Sequence, residues 1–155
     1  MNHVLILLLG SVLLDALFLC LLAFVSIKDV LKRIIPNGAI IVLMILSLFN
    51  LGLVILSGFS WWIYPTGLLI GLPLIAFWNK GWLGAGDAKL VLVCGFFLGL
   101  FQGLLMLGLF SGLLLVIRIF CYFRQLNHKT KIALGPAISL AAACALMIKY
   151  LPLTF

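Results

Sequence analysis

Acidic residues are the scarcest charged groups in this chain. Its 155 residues include no glutamate and only three aspartates, Asp15, Asp29 and Asp87, against ten Lys and Arg. The three acids are dispersed and do not cluster with Gly and Arg at one helix end. This dispersion argues against a phospholipid head-group transferase, which would need several clustered aspartates.

Paired cysteines are also absent. The four cysteines, at positions 20, 94, 121 and 144, stand alone, and none forms a C-x-x-C motif. The sequence therefore indicates neither a zinc site nor a redox motif. We expect these residues to pack as small apolar side chains.

Charge of either sign is rare. Charged residues make up 8% of the chain and hydrophobic residues 66%, whereas about a quarter of a soluble domain is charged. Apolar runs long enough to cross a bilayer recur throughout. We therefore predict an all-α integral membrane protein, with residues 1–155 as a single domain. The N-terminal apolar run has no preceding Lys or Arg and no small-residue cleavage site, so it is a poor signal peptide.

The apolar runs and the residues that interrupt them predict a polytopic bundle of about six transmembrane helices. Pro36 and Asn37 mark a helix start, Pro73 predicts a kink, and Gly99 with Gly103 divides a run that is too long for one span. The predicted helices cover about 4–27, 37–56, 62–78, 88–100, 103–123 and 133–151.

The cations orient this bundle. Nine of the ten Lys and Arg fall in or near the links that follow the first, third and fifth helices. The positive-inside rule makes that side cytoplasmic and places both termini outside. Anchoring at the cytoplasmic face explains the net charge of +7 without nucleic acid as a partner.

Asp15 lies near the middle of the first helix. A carboxyl at that depth is costly, so we expect it to face the bundle interior. We interpret it as a neutral acid that is hydrogen-bonded to a neighbouring helix. Asp29 follows fourteen residues later, close to four helical turns, so both acids face roughly the same way.

Asp29 ends the first predicted helix and Asp87 begins the fourth, so both lie at the cytoplasmic edge of the bilayer. Two carboxyls at one depth, on separate helices, can converge on one water. One then takes a proton from the water while the other protonates a carbonyl oxygen, as aspartic proteolysis requires. Helix dipoles alone predict that Asp87 is the ionised base and Asp29 the protonated acid.

The residues around these acids carry a family resemblance. The run GAGDAKL at 84–90 resembles the GxGDxKL signature of type IV prepilin peptidases, which are GxGD aspartic peptidases. Asp29, followed by Pro36 and Asn37, resembles the family's D-x-R-…-I-P-N segment. Gly135 and Pro136 resemble its third element, the start of the last helix. The three elements occur in the family's order and cover residues 29–137.

The resemblance implies that Asp29 and Asp87 form the catalytic dyad. Further motif or substrate-positioning residues are implied at Gly84, Gly86, Lys89, Arg33, Pro36, Asn37, Gly135 and Pro136. No cofactor is implied, and no metal, because His3 and His128 lie too far from the dyad to be ligands. The chain departs from the family pattern at Leu31, where an arginine is usual, and at Ala133, where proline is frequent.

The implied substrate is a prepilin or pseudopilin with a hydrophobic N-terminal helix, whose basic leader is removed at the cytoplasmic membrane of a bacterium or archaeon. Larger members of the family add a cytoplasmic insert with paired cysteines and an N-methyltransferase activity. This chain has neither and resembles the short, peptidase-only form associated with Flp/Tad-type pili and protein secretion.

A non-enzymatic membrane protein, either a small transporter or a pilus or secretion assembly scaffold, is the alternative. Intramembrane acids such as Asp15 mark ion paths in transporters. Transporter folds are commonly built from inverted repeats, and the sequence contains no convincing one.

The predicted topology can be tested by cysteine-accessibility labelling. A cysteine introduced at position 58 should be labelled from outside and one at position 128 from inside, because an odd number of crossings separates them in the six-helix arrangement. Labelling of both positions from the same side would exclude that arrangement.

Overall fold

The computed structural model describes residues 2–80, 84–123 and 134–150, and the regular structure in these ranges is entirely helical. The elements in chain order are α1 (Asn2–Lys32), α2 (Asn37–Leu56), α3 (Ile63–Thr66), a 3₁₀ segment (Gly67–Gly71), α4 (Leu72–Asn79), α5 (Ala85–Leu98), α6 (Leu100–Phe123) and α7 (Gly135–Tyr150). Since α3, the 3₁₀ segment and α4 follow one another without a gap, these ranges form six helical passages. The predicted all-α class is confirmed. The polar loop predicted over 125–131 lies outside the described residues.

Among the described residues, three helices are long and apolar enough to cross a membrane: Leu5–Lys32, Asn37–Leu56 and Leu100–Phe120. Two shorter apolar segments, Ile63–Ala76 and Gly135–Tyr150, accompany them. The chain is therefore a multi-pass membrane protein.

The first helix is longer than predicted. It continues through Lys32 instead of ending near residue 27, so Asp29 lies within its last turns. Arg33 adopts a positive φ of 52° and ends the helix, while its backbone N–H donates to the Asp29 carbonyl at 2.8 Å. The second helix begins at Asn37 as predicted. Pro36 occupies the N-cap position there, and no side chain caps this helix start.

The third passage breaks earlier than predicted. The break is the 3₁₀ segment, whereas Pro73 is accommodated in the first turn of α4. Two glycines explain this position, because α5 packs directly against them. A Cβ at Gly67 would lie 2.0 Å from the Gly95 carbonyl oxygen, and one at Gly71 would lie 2.3 Å from the Leu92 side chain.

Helix α5 is the central element of the bundle. It contacts α2, the third passage, α6 and α7, and nearly all of its residues from Ala88 to Leu98 are buried. The Phe97 ring stacks on Phe18 of α1 at 3.8 Å, and the Phe97 carbonyl accepts a hydrogen bond from the Asn50 amide of α2 at 3.2 Å. Gly99, with φ of 81°, ends α5 at the predicted break.

Helices α1 and α7 pack against each other in opposite directions, since the start of α7 meets the end of α1. One face of α1 is buried at intervals of three and four residues, at Asp15, Phe18, Leu22, Val25 and Asp29. Such spacing defines a helix face turned to the core. It confirms that the two acids of α1 share one face.

The contact between the 3₁₀ segment and α5 predicts a matched pair of glycine variants. Gly67→Ala should lower the free energy of unfolding by about 1–3 kcal/mol, as overpacking does, because the new methyl group meets backbone. Gly52→Ala in α2 is the control, since its Cβ would meet nothing within 4 Å. The measurement is unfolding in mixed micelles, and equal stabilities of the two variants would contradict the packing described here.

Candidate active site

Four helix ends meet at one end of the bundle. The end of α1 meets the start of α7 through Asp29 and Gly135. The start of α5 lies against the segment between α1 and α2, where Gly86 approaches Ile35. The Lys89 ammonium of α5 reaches the Asn37 side-chain oxygen of α2 at 3.5 Å. These contacts bring together the three sequence elements that surround Asp29, Asp87 and Gly135.

Asp29 is held by the first residue of α7. The side chain is only 6% exposed, and its Oδ2 accepts a hydrogen bond from the Gly135 backbone N–H at 2.8 Å. An N–H in the first turn of a helix has no partner within the helix. The Asp29 carboxyl supplies that partner.

This contact requires glycine at position 135. A Cβ there would lie 2.7 Å from Oδ2 of Asp29 and 3.0 Å from its Cβ. Real Cβ atoms essentially never approach another atom more closely than 3.0 Å, so any other residue would displace the carboxyl or α7. Pro136 follows in the first turn, where a missing N–H is tolerated.

Asp87 is held by its own helix. Gly84 is the N-cap of α5 and Asp87 the third helical residue. The Gly84 backbone N–H donates to the Asp87 carboxyl, which is the backward half of a capping box. A Cβ at Gly84 would lie 2.8 Å from Asp87 Oδ2, so glycine leaves the space that the carboxyl occupies.

The two carboxyls influence each other. Asp87 lies in the first turn of α5, outside the long apolar spans. Burial, and then the negative charge of Asp29, raise the pKa of Asp87 to about 6, although the Gly84 N–H opposes the rise. A neighbouring like charge disfavours ionisation, so the effect of Asp29 on the pKa of Asp87 agrees with the meeting of their helix ends.

These contacts add influences that an argument from helix dipoles alone leaves out. The dipole argument places the negative charge on Asp87 because it opens α5. In the folded chain, burial and Asp29 favour the protonated form of Asp87, while the start of α7 contacts Asp29. The sequence argument considered only the helix to which each acid belongs, so it included neither burial nor the neighbouring carboxyl.

The remaining predicted residues surround the acids. Gly86 packs against Ile35, since a Cβ at Gly86 would lie 3.0 Å from the Ile35 Cβ. The contact of Lys89 with Asn37 ties α5 to α2. Arg33 is exposed at the end of α1.

Sequence reasoning missed the roles of Ile35 and of the Gly135 N–H. A Gly-Pro pair at a helix start is a signal that could have identified this N–H as a carboxylate donor.

The chain is a multi-pass helical bundle with two aspartates brought together at one end. It therefore falls in the class of membrane proteins with a candidate peptidase site. The sequence model that defines the type IV leader peptidase family matches residues 16–122 of this chain. The chain therefore belongs to this family, as its resemblance predicted, and its activity class is that of a peptidase. The match favours a peptidase over the non-enzymatic alternative. No curated protein sequence and no solved structure significantly matches the chain.

The interaction between the acids can be measured by carbon-13 NMR. With three aspartates and no glutamate, aspartate labelled at the side-chain carboxyl gives three resonances, and Asp87→Asn identifies that of Asp87. We expect Asp87 to titrate near pH 6, with the protonated form below this value. In Asp29→Asn the midpoint should fall, because the charge that raises it is gone. An unchanged midpoint would show that the two acids do not interact.

Proposed function

We propose that this protein is an aspartic endopeptidase of the membrane edge, with Asp29 and Asp87 as its catalytic residues. The observation that carries the proposal is the meeting of their helix ends, through the contacts of Gly135 with Asp29 and of Gly86 with Ile35; the rise in the pKa of Asp87 caused by Asp29 agrees with it. Two neighbouring carboxyls that hold one proton between them provide a base and an acid at one place.

In the proposed reaction, Asp29 is the base and Asp87 the acid. Asp29 takes a proton from a water whose oxygen bonds to the scissile carbonyl carbon, while Asp87 gives its proton to the carbonyl oxygen. The resulting gem-diol collapses as the dyad delivers a proton to the amide nitrogen and the C–N bond breaks. The products are the carboxyl end of the leader and the new amino terminus of the remaining protein.

The proposed substrate is a prepilin-like protein with a basic leader and an apolar N-terminal helix. Lys28 and Lys32 line an open groove between α1 and α2 at the same end of the bundle. Their charges repel a basic leader, so recognition rests on the apolar helix, which docks in the lipid plane. The cation distribution supports a cytoplasmic position for this end.

The dyad predicts a strict requirement for both acids. Asp29→Asn and Asp87→Asn should each lose leader removal by about 10²-fold or more, because an amide cannot exchange the proton and general acid–base catalysis contributes ~10²–10⁴-fold. The assay is the gel shift of a co-expressed prepilin, at equal membrane levels of each variant. Near wild-type cleavage by either variant would refute the aspartic mechanism.

A glycine pair provides the matched control. Gly84→Ala should impair cleavage because its methyl group meets the Asp87 carboxyl, whereas Gly108→Ala in α6 should not, since its Cβ would meet nothing within 4 Å.

A further inference from the structure

The third aspartate forms a separate polar cluster with the end of α7. Asp15 is 2% exposed, and its Oδ2 lies 3.0 Å from the Lys149 ammonium. The Tyr150 hydroxyl donates to the same oxygen. Asp15 therefore faces the interior as predicted, and it is paired with a cation, whereas a neutral hydrogen-bonded acid was expected. We call these three residues the far contact.

The far contact and the Asp29–Gly135 hydrogen bond are separated by the same number of residues along α1 and along α7. Asp15 and Asp29 are fourteen positions apart on α1, and Gly135 and Lys149 are fourteen positions apart on α7. Fourteen residues span about 21 Å of helix. Because the helices run in opposite directions, each end of α7 supplies donors to one carboxylate of α1.

The surface between these two points does little to fix the register. The residues that α7 buries are mostly small: they include four alanines, at positions 137, 141, 142 and 145, against two large apolar side chains, Ile138 and Leu146. Small side chains allow helices to approach closely, but they interlock weakly and do little to prevent α7 from sliding along α1. Between the ends, Ser139 donates a side-chain hydrogen bond to the Leu22 carbonyl at 3.3 Å. A slip by one residue would move Gly135 by about 1.5 Å and rotate it by about 100°.

We infer that the far contact sets the register of α7 on α1 and thereby holds the Gly135 N–H against Asp29. The inference rests on the proposed function, since it gives Asp15, Lys149 and Tyr150 a positioning role for the catalytic Asp29. A single polar contact that specifies register is the best-attested use of a buried polar group. The three residues act at a distance and do not touch substrate.

The test compares Lys149→Met with Lys149→Arg. Methionine keeps the apolar stem but leaves Asp15 without its cation, whereas arginine preserves the ion pair. With a synthetic peptide of a lysine-rich leader ending in glycine and an apolar helix, Lys149→Met should lower kcat by about ten- to a hundredfold, since a misplacement of about 1 Å has such effects. KM should stay near the wild-type value, because the inference gives these three residues a role in positioning Asp29 and none in binding substrate.

Two further variants make the comparison decisive. Lys149→Arg should restore most of kcat, and Met147→Leu, on the exposed face of α7, should leave kcat unchanged. Tyr150→Phe removes only a hydroxyl and should give a smaller loss of kcat, which keeps the inference testable if Lys149→Met does not insert. A rise of KM at constant kcat, or wild-type kcat in both Lys149→Met and Tyr150→Phe, would overturn it.

A measurement that does not depend on enzyme activity separates this inference from the proposed function. The carbon-13 resonance of the Asp29 carboxyl should move in Lys149→Met and return in Lys149→Arg, because the Gly135 N–H leaves and regains its oxygen. An unmoved Asp29 resonance in Lys149→Met would overturn the positioning role, whatever the variant cleaves. Normal cleavage by Asp29→Asn would instead refute the proposed function alone.

Discussion

A carboxylate buried in an apolar bundle must find its donors within the protein, and this requirement organises one side of the structure. Two of the three aspartates, Asp15 and Asp29, are almost fully buried on one face of α1. Both find their donors on α7, through an ion pair and a hydroxyl at one end and a backbone N–H at the other. Since an unpaired charge in this environment is expensive, the two acids tie α7 to α1.

The site also requires glycine at several positions, because a larger residue would have no room there. Gly84 leaves room for the carboxyl of its own helix and Gly135 for the carboxyl of α1. Gly86 admits the Ile35 side chain, which brings the segment between α1 and α2 against the start of α5. Close packing therefore accounts for glycine at all three positions.

Much of this arrangement could be predicted from the sequence, because the length of the apolar runs and the Gly and Pro residues that interrupt them identify membrane helices well. The start of α2 at Asn37, the break at Gly99 and the meeting of the helix ends that carry the two acids were all predictable. The extension of α1 was not, since its polar residues resemble a loop. The partner of Asp15 was equally hidden, because Lys149 lies 134 positions away and nothing local links the two.

The two acids of the proposed dyad are held in different ways, and the difference assigns their tasks. Asp29 is buried at the end of α1 and accepts a hydrogen bond from the first backbone N–H of α7. Asp87 is half-buried in the first turn of α5 and bound to the Gly84 backbone, and burial and the Asp29 charge raise its pKa to about 6, which favours the protonated form that the proposed acid needs. In the proposed mechanism, helix packing therefore places the two acids in different environments before substrate arrives.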